Sequence, residues 1–339
     1  MDRSRSLYGP ALRYFAAVAR SGSIRSASRE LNVASSAVNR QILWLEQSLG
    51  HTLFDRLARG VQLTPAGEIL RAHVARTFAD LEATLGDLDA LTGMQRGTVR
   101  IASVESVTES LLPDVIAAFR RSYPGIHLHT VLTGSEQVVE AIIAGEADVG
   151  FAFEPPEDPR LAVAFYRDLE IGAVVRPGHP LTRLARVSLA DCLSHPFCFP
   201  SSDLSLRKRL DIALSDGGFP QGAFVEANSL KLMKELTRSD DTVAFLTTLG
   251  LEQELVDGSL VFLPLADQPL KRDRFTILTS AHRSLGHAAR AFFEHSMDAL
   301  RARLAMIDAN SASLGAKISS GRVGQAAAPF QGMHNAWSP

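Results

Sequence analysis

A chain of 339 residues, 46% apolar and 21% charged with a net charge of −2, has the length of about two to three domains. No apolar run of about 18 residues is present, and the opening MDRSRSLYGP has no apolar signal core, so a soluble cytoplasmic protein with no membrane partner is expected. The two cysteines, Cys192 and Cys198, are too few for a disulfide framework and lack metal-ligand spacing, which leaves buried free thiols as the expected state.

In chain order, the first informative stretch is residues 24–67, IRSASRELNVASSAVNRQILWLEQSLGHTLFDRLARGVQLTPAG. It reads as helix, turn, helix and basic hairpin, the layout of a winged helix-turn-helix. The second helix spaces Val38, Ile42, Leu45 and Leu49 so that one face is apolar. The other face carries Ser35, Ser36, Asn39 and Arg40, short polar groups and a cation suited to entering a DNA major groove, with Asn39 able to pair with adenine through two hydrogen bonds. An ordinary amphipathic surface helix is the alternative for this helix taken alone. Arg56 and Arg59 in the hairpin are candidate phosphate contacts, against a role as solvated charges. Residues 1–76 hold 11 arginines, no lysine and 5 acidic residues, a net of +6, so residues 77–339 hold 24 basic and 32 acidic residues, a net of −8. Phosphate affinity is thereby confined to one end of the chain.

Thr64-Pro65 is a helix start. Beyond it Leu70, Val74, Phe78, Leu81, Leu85 and Leu88 repeat close to coiled-coil spacing until Gly93 and Gly97. A dimerising linker helix is expected, with a helix buried by its own chain as the alternative. Pairing would present two reading helices to a dyad-symmetric operator in double-stranded DNA.

After Gly97 short apolar strands alternate with amphipathic helices, which implies a parallel sheet in an α/β domain. Ligands in such sheets sit beyond the carboxyl ends of the strands. Those ends carry Ser103, Ser106, Thr133, Ser135, Ser201, Ser202 and Thr247, hydroxyls that cap helices singly and together suggest a polar cleft for a small effector. Ser106 with Glu109 also has the capping-box pattern. Glu105 and Asp203 lie in the same loops and oppose an anionic ligand, so the charge of the ligand stays open. His127 and His129 share one face of a strand without a third ligand, so no metal and no cofactor are expected. Residues 308–339 lose periodicity and read as disordered.

The ordered series AVNRQILWLEQSLG, LFDR and LTPAGE, followed by the weaker landmarks LLPDV, FRRSYPGIHL, ADVGF and RPGHPLT, resembles the LysR-type transcriptional regulators over residues of about 8–304. The resemblance implies an N-terminal winged helix-turn-helix at 1–64, a linker and dimerisation helix at 65–94, and a two-lobed effector domain at 95–305 similar to periplasmic solute-binding proteins. Lobe I then falls at about 95–165 and 270–305, lobe II at about 166–269, and 306–339 form a tail. It further implies a self-associating regulator, commonly a tetramer that bends DNA, with RNA polymerase as a partner and a small carboxylate or other anion as the usual effector. The chain departs from the family pattern at Ala34, Ser35 and Ser36, at Asn39, and at DDTVAFLT, where members often carry a glycine-rich segment. Ser205 stands where one branch of the family carries a peroxide-sensing cysteine, so that switch is not expected. A solute-binding protein with secondary, non-specific DNA binding is the competing class. An enzyme is not expected, since GxSxG, phosphate-loop and GxGxxG motifs are missing from suitable settings.

Overall fold

The N-terminal helices begin and end where the sequence supplies caps. In the computed structural model, which describes residues 9–93, 95–214, 223–267, 270 and 272–302, α1 (Pro10–Ser21) starts on proline and ends at Gly22 with φ 61°. The hydroxyl of Ser23 caps α2 (Ile24–Leu31) by accepting from Ser26 N at 3.3 Å, and Asn32 at φ 54° turns the chain. Then α3 (Ser35–Leu49) packs Val38, Ile42 and Leu45 against Phe15, Val18, Ala27, Leu53 and Phe54. Leu49, expected on the same stripe, is 46% exposed. It falls in the last turn, where Gly50 at φ 70° leads the chain away.

The hairpin is β1 (Phe54–Arg56) and β2 (Val61–Leu63), antiparallel with Arg56 opposite Val61. Val61 N donates to Gly22 O at 2.8 Å, fixing the wing to the end of α1. Gly60 at the tip has φ +92°, and a Cβ there would lie 2.4 Å from Gly22 O. Both backbone angle and space therefore require glycine.

Thr64 caps the long helix α4 (Pro65–Leu91) by accepting from Gly67 N at 3.0 Å. The stripe expected to pair with a second chain is divided. Leu70, Val74 and Phe78 pack into the core of the winged domain and Leu81 is buried, while Leu88 is 51% exposed. Spacing identifies an apolar face without naming what covers it, and here the first half is covered by the chain itself. The exposed large apolar residues of α4 are Ile69, Leu88 and Leu91.

Two five-stranded sheets follow. The first combines β3 (Gly97–Ser103), β4 (Ile126–Leu132), β5 (Val149–Phe153), β6 (Leu161–Leu169) and, from the far end of the chain, β12 (Asp273–Ser280), in the order β4-β3-β5-β12-β6. Helices α5 (Glu105–Ser122) and α6 (Ser135–Ala144) belong to this lobe, and the final helix α11 runs from 287 through 302. The second sheet has β7 (Ile171–Val175), β8 (Phe197–Pro200), β9 (Ala223–Ala227), β10 (Val243–Thr247) and β11 (Val261–Pro264), in the order β11-β7-β10-β8-β9, with α7 (Leu189–Leu193), α8 (Ser205–Ala213), α9 (Leu230–Ser239) and α10 (Glu252–Asp257).

Neither sheet is the wholly parallel one the strand-helix alternation implies. Strands β3, β4 and β5 are parallel, but β12 runs antiparallel to both β5 and β6, and β7 runs antiparallel to β10 and β11. The reason is topological. The chain passes from one lobe to the other between β6 and β7 and returns before β12, so the crossing strands enter their sheets in reverse. Each sheet buries both faces in apolar clusters. Among the described residues no helix is long and apolar enough to cross a membrane. The expected tail lies outside the described residues.

Candidate nucleic-acid interface and interlobe cleft

The wing and the reading helix are held together by side chains at both ends. Glu46, near the end of α3, accepts from Leu53 N at 2.7 Å and from Phe54 N at 3.3 Å, which sets where β1 begins. At the other end of β1, Arg56 Nη2 donates to Asn39 Oδ1 at 3.2 Å. Ser36, Arg40, Arg56 and Arg59 are exposed, and Asn39 is half-buried. Ser35 is exposed too, but its hydroxyl meets Ser28 Oγ at 2.8 Å, joining α2 to α3 across the turn. Of the six candidate DNA contacts, Asn39 and Arg56 thus form one unit and Ser35 already has an internal partner.

The cleft between the lobes has a volume of about 620 Å³ and is lined from both sides. Ser106, Thr133, Ser135 and Thr247 line it, as the strand-end reasoning requires. Ser103, Ser201 and Ser202 do not appear in its wall. Ser103 is wholly buried and donates its hydroxyl to Val104 O at 3.1 Å, Ser201 sits under a backbone bond from its own N to Ala227 O at 2.9 Å, and Ser202 is exposed beyond the strand end at Pro200. Residues alternate across a strand and its exit, so naming the strand end does not name the residue that faces the ligand. Ser135 is also committed, since its Oγ accepts from Phe153 N at 2.9 Å.

The capping box expected at Ser106 is absent, because α5 begins at Glu105 with Val104 at its cap. Glu105 and Glu109 reach the other lobe instead. The Glu105 carboxylate accepts from Ser229 Oγ at 3.1 Å and from Leu230 N at 2.7 Å, closing the start of α9 with charge of the favourable sign. Glu109 meets Lys234 Nζ at 2.9 Å, and Lys234 also contacts Glu254 at 3.0 Å and Gly250 O at 3.0 Å. Burial disfavours the Lys234 charge, but hydrogen bonds and attraction from Glu109 and Glu254 outweigh it and hold the ammonium above its ordinary pKa. Sequence reasoning missed Ser205, Asn228, Ser229, Gln137 and Asp273 in the cleft wall. A helix-start signal at Ser229 was available; for the others, sequence-distant packing decides.

Cys192 and Cys198 are both buried and free. Burial pushes the Cys192 thiol up to about 12, helped by Asp191 and Asp267, and the Cys198 thiol up to about 11. Thiolate is the reacting form. Neither cysteine is therefore expected to alkylate in the native protein at mildly alkaline pH, whereas both should react in denaturant; rapid native labelling detected by mass spectrometry would contradict this. Among the described residues no group of three or more His, Cys, Asp or Glu is arranged to hold a metal. His127 and His129 are exposed side by side on β4.

A winged helix-turn-helix tied by a long helix to two α/β lobes and their cleft defines a DNA-binding regulator with a small-molecule sensing domain. Residues 10–68 match the family described as bacterial regulatory helix-turn-helix protein, lysR family, and residues 92–301 match the LysR substrate binding domain. The chain belongs to the LysR family of transcriptional regulators. A probable RuBisCO transcriptional regulator of Cyanidioschyzon merolae is 27% identical over 293 residues, covering 85% of this chain and 96% of that protein. The RuBisCO operon transcriptional regulator of Acidithiobacillus ferrooxidans is 25% identical over 284 residues, covering 84% and 91%. Full-length OxyR from Pseudomonas aeruginosa superposes with a TM-score of 0.67 at 18% identity, covering 86% of this chain and 93% of that one. Full-length CbnR in complex with its target DNA gives 0.56 at 19% identity, covering 86% and 99%. At these identities the two structures share the fold.

Proposed function

We propose that this regulator binds a dyad-symmetric operator as a dimer or tetramer, and that a small effector in the interlobe cleft changes its affinity for that operator or the spacing of its reading helices. The observation that carries this reading is the cleft itself, lined from both lobes, so that one ligand touches both and favours one arrangement of them. A ligand shifts such an equilibrium only through differential affinity for its states. The reading places the protein in the cytoplasm, acting at promoters beside RNA polymerase, and gives it no catalytic role. Sequencing of genomic fragments retained by the purified protein at physiological salt is expected to return a dyad-symmetric site. Retention without sequence preference would overturn the reading and leave solute binding as the primary function.

Within the DNA interface, Asn39 reads a base and Arg56 follows the backbone. Asn39→Ala is expected to lose about 1–3 kcal/mol, concentrated at one base pair. Because Arg56 donates to Asn39, Arg56→Ala should also relax that preference, and the double variant should cost less than the two losses together. Arg59→Ala should weaken all sequences alike and lower the salt slope by about one unit. Binding titrations over operator variants at several salt concentrations test this, and equal losses across base variants for Asn39→Ala would remove its reading role.

A further inference from the structure

At the floor of the cleft lies an acceptor without a donor. Asp273 is the first residue of β12 and pairs with Leu169 at the end of β6, at the point where the chain passes between lobes. Its side chain lines the cleft and the residue is 2% exposed. Oδ2 receives the Ser205 hydroxyl at 3.1 Å, whereas the buried Oδ1 has no hydrogen-bond partner among the described residues. A buried polar atom left in this state is costly and calls for an explanation.

The remaining wall narrows the explanation. Among the described lining residues there is no lysine or arginine, while Glu105, Asp203 and Asp273 all line the space. Four helices, α5, α6, α8 and α9, begin at the cleft, and helix starts ordinarily draw anions. Here carboxylates of the chain itself stand near three of these starts, although only that of α9 is capped by side chains. Glu105 lies in the first turn of α5 and accepts from the first amides of α9, Asp203 sits just before α8, and the hydroxyl that opens α6 accepts from Phe153 N. Two cations of α8 are committed: Arg209 pairs with Glu154 after β5, and Lys208 pairs with Glu136 at 2.7 Å. On β12 itself, Arg274 is held by Asp168 at 3.0 Å. A ligand carboxylate would meet the charges of Glu105 and Asp203, a buried carboxyl at Asp273, and no free cation among these residues.

We propose that the cleft recognises a small molecule carrying a protonated amine or amidine, whose N–H groups donate to Asp273 Oδ1 at the hinge between the lobes. The proposal rests on the reading of this cleft as the effector site and supplies the chemical class of the effector. Ser106, Thr247 and Asn228 offer hydroxyl and carboxamide partners for its remaining polar groups. Contact at Asp273 couples ligand to regulation, because this residue belongs to the crossing strand about which the lobes would rearrange.

Burial, followed in weight by the Ser205 hydrogen bond that opposes it, leaves the Asp273 carboxyl at about 7, with Glu154 raising and Arg209 lowering it. A cation bound at Oδ1 favours the ionised form, so binding near neutral pH releases part of a proton. The test is calorimetric titration of the intact protein with 1,4-diaminobutane, 1,4-butanediol and succinate in buffers of different ionisation enthalpy. The diamine is expected to bind about tenfold or more tightly than the other two, the scale of one charge-assisted hydrogen bond, with a heat that depends on the buffer. Asp273→Asn should remove both the preference and the proton release while retaining a native melting transition.

Preference for succinate, no binding of the diamine, or diamine binding unchanged in Asp273→Asn would each overturn the proposal. A second variant separates this failure from failure of the cleft reading. Leu132→Trp with Asn228→Trp places bulk at exposed cleft positions in the two lobes. Lost probe binding in that variant keeps the cleft as the ligand site whichever probe it prefers; undiminished binding moves the site elsewhere and removes both readings.

Discussion

Asp273→Asn is expected to make the ligand-free protein more stable at pH 8 than the unaltered chain, with little difference near pH 4. The carboxyl is raised from 3.8 to about 7, chiefly by burial. A group with a raised folded pKa binds its proton more tightly in the native state. Its contribution is therefore fully present below the unfolded value and is lost as pH rises through the window from about 4 to about 7. At 1.36 kcal/mol per unit, the window corresponds to on the order of 4 kcal/mol. Asparagine can still accept from Ser205 and does not ionise, so it lacks this dependence. Denaturant unfolding of both proteins at several pH values measures the difference between them, in which other titrating groups cancel. A difference that does not grow with pH would mean that Asp273 ionises freely in the fold. The same substitution thus separates two properties of one residue, a cost to the empty protein and a contact for a cationic ligand.

Gly67→Ala is expected to destabilise the winged domain by about 3 kcal/mol and to abolish specific DNA binding under conditions where the unaltered protein binds. Helix propensity alone predicts the opposite, since alanine inside a helix gains roughly 0.5–1 kcal/mol over glycine. The steric effect wins. A Cβ at position 67 would lie 2.2 Å from Leu53 O and 2.8 Å from Leu63 Cδ2. Leu53 O cannot retreat without loss, because it accepts from Thr64 N at 3.0 Å, and Gly67 N in turn donates to the Thr64 cap. Overpacking of this kind costs about 1–3 kcal/mol and occasionally more. The strain falls where the wing meets the linker helix, so it displaces Arg56 from α3 as well as weakening the core. Gly9→Ala is the control, since a Cβ there meets nothing within 4 Å. Equal melting temperatures for the two variants would show that the junction relaxes around the methyl group.

Much of the architecture is legible along the chain. Thr64-Pro65 marks a helix start in the residues themselves, and the structure uses Thr64 as the cap. Val38, Ile42 and Leu45 are buried as their spacing requires. The same reasoning misplaces Leu49, reads a parallel sheet where crossing strands run in reverse, and reads Ser106 as a cap although the helix has already started. In the cleft, four of the seven hydroxyls named from strand ends line the wall. The rule finds the right end of the sheet and leaves the facing side chain undecided.

Local chemistry thus determined the helix starts, the apolar faces, the basic N-terminal quarter and the alternation of strand and helix, because each depends on residues within a turn or two of one another. Only the tertiary structure decided what covers those faces and which charges find partners. Leu70, Val74 and Phe78 look in sequence like a seam for a second chain, and are covered by the winged domain of their own. Asp273 lies in the charged run KRDR and carries no local signal of burial. Its burial comes from strand pairing with Leu169 and its hydrogen bond from Ser205, both far away in sequence. Desolvation and pairing act through space, so the group that best defines the ligand became visible only when the chain had crossed between its lobes and returned.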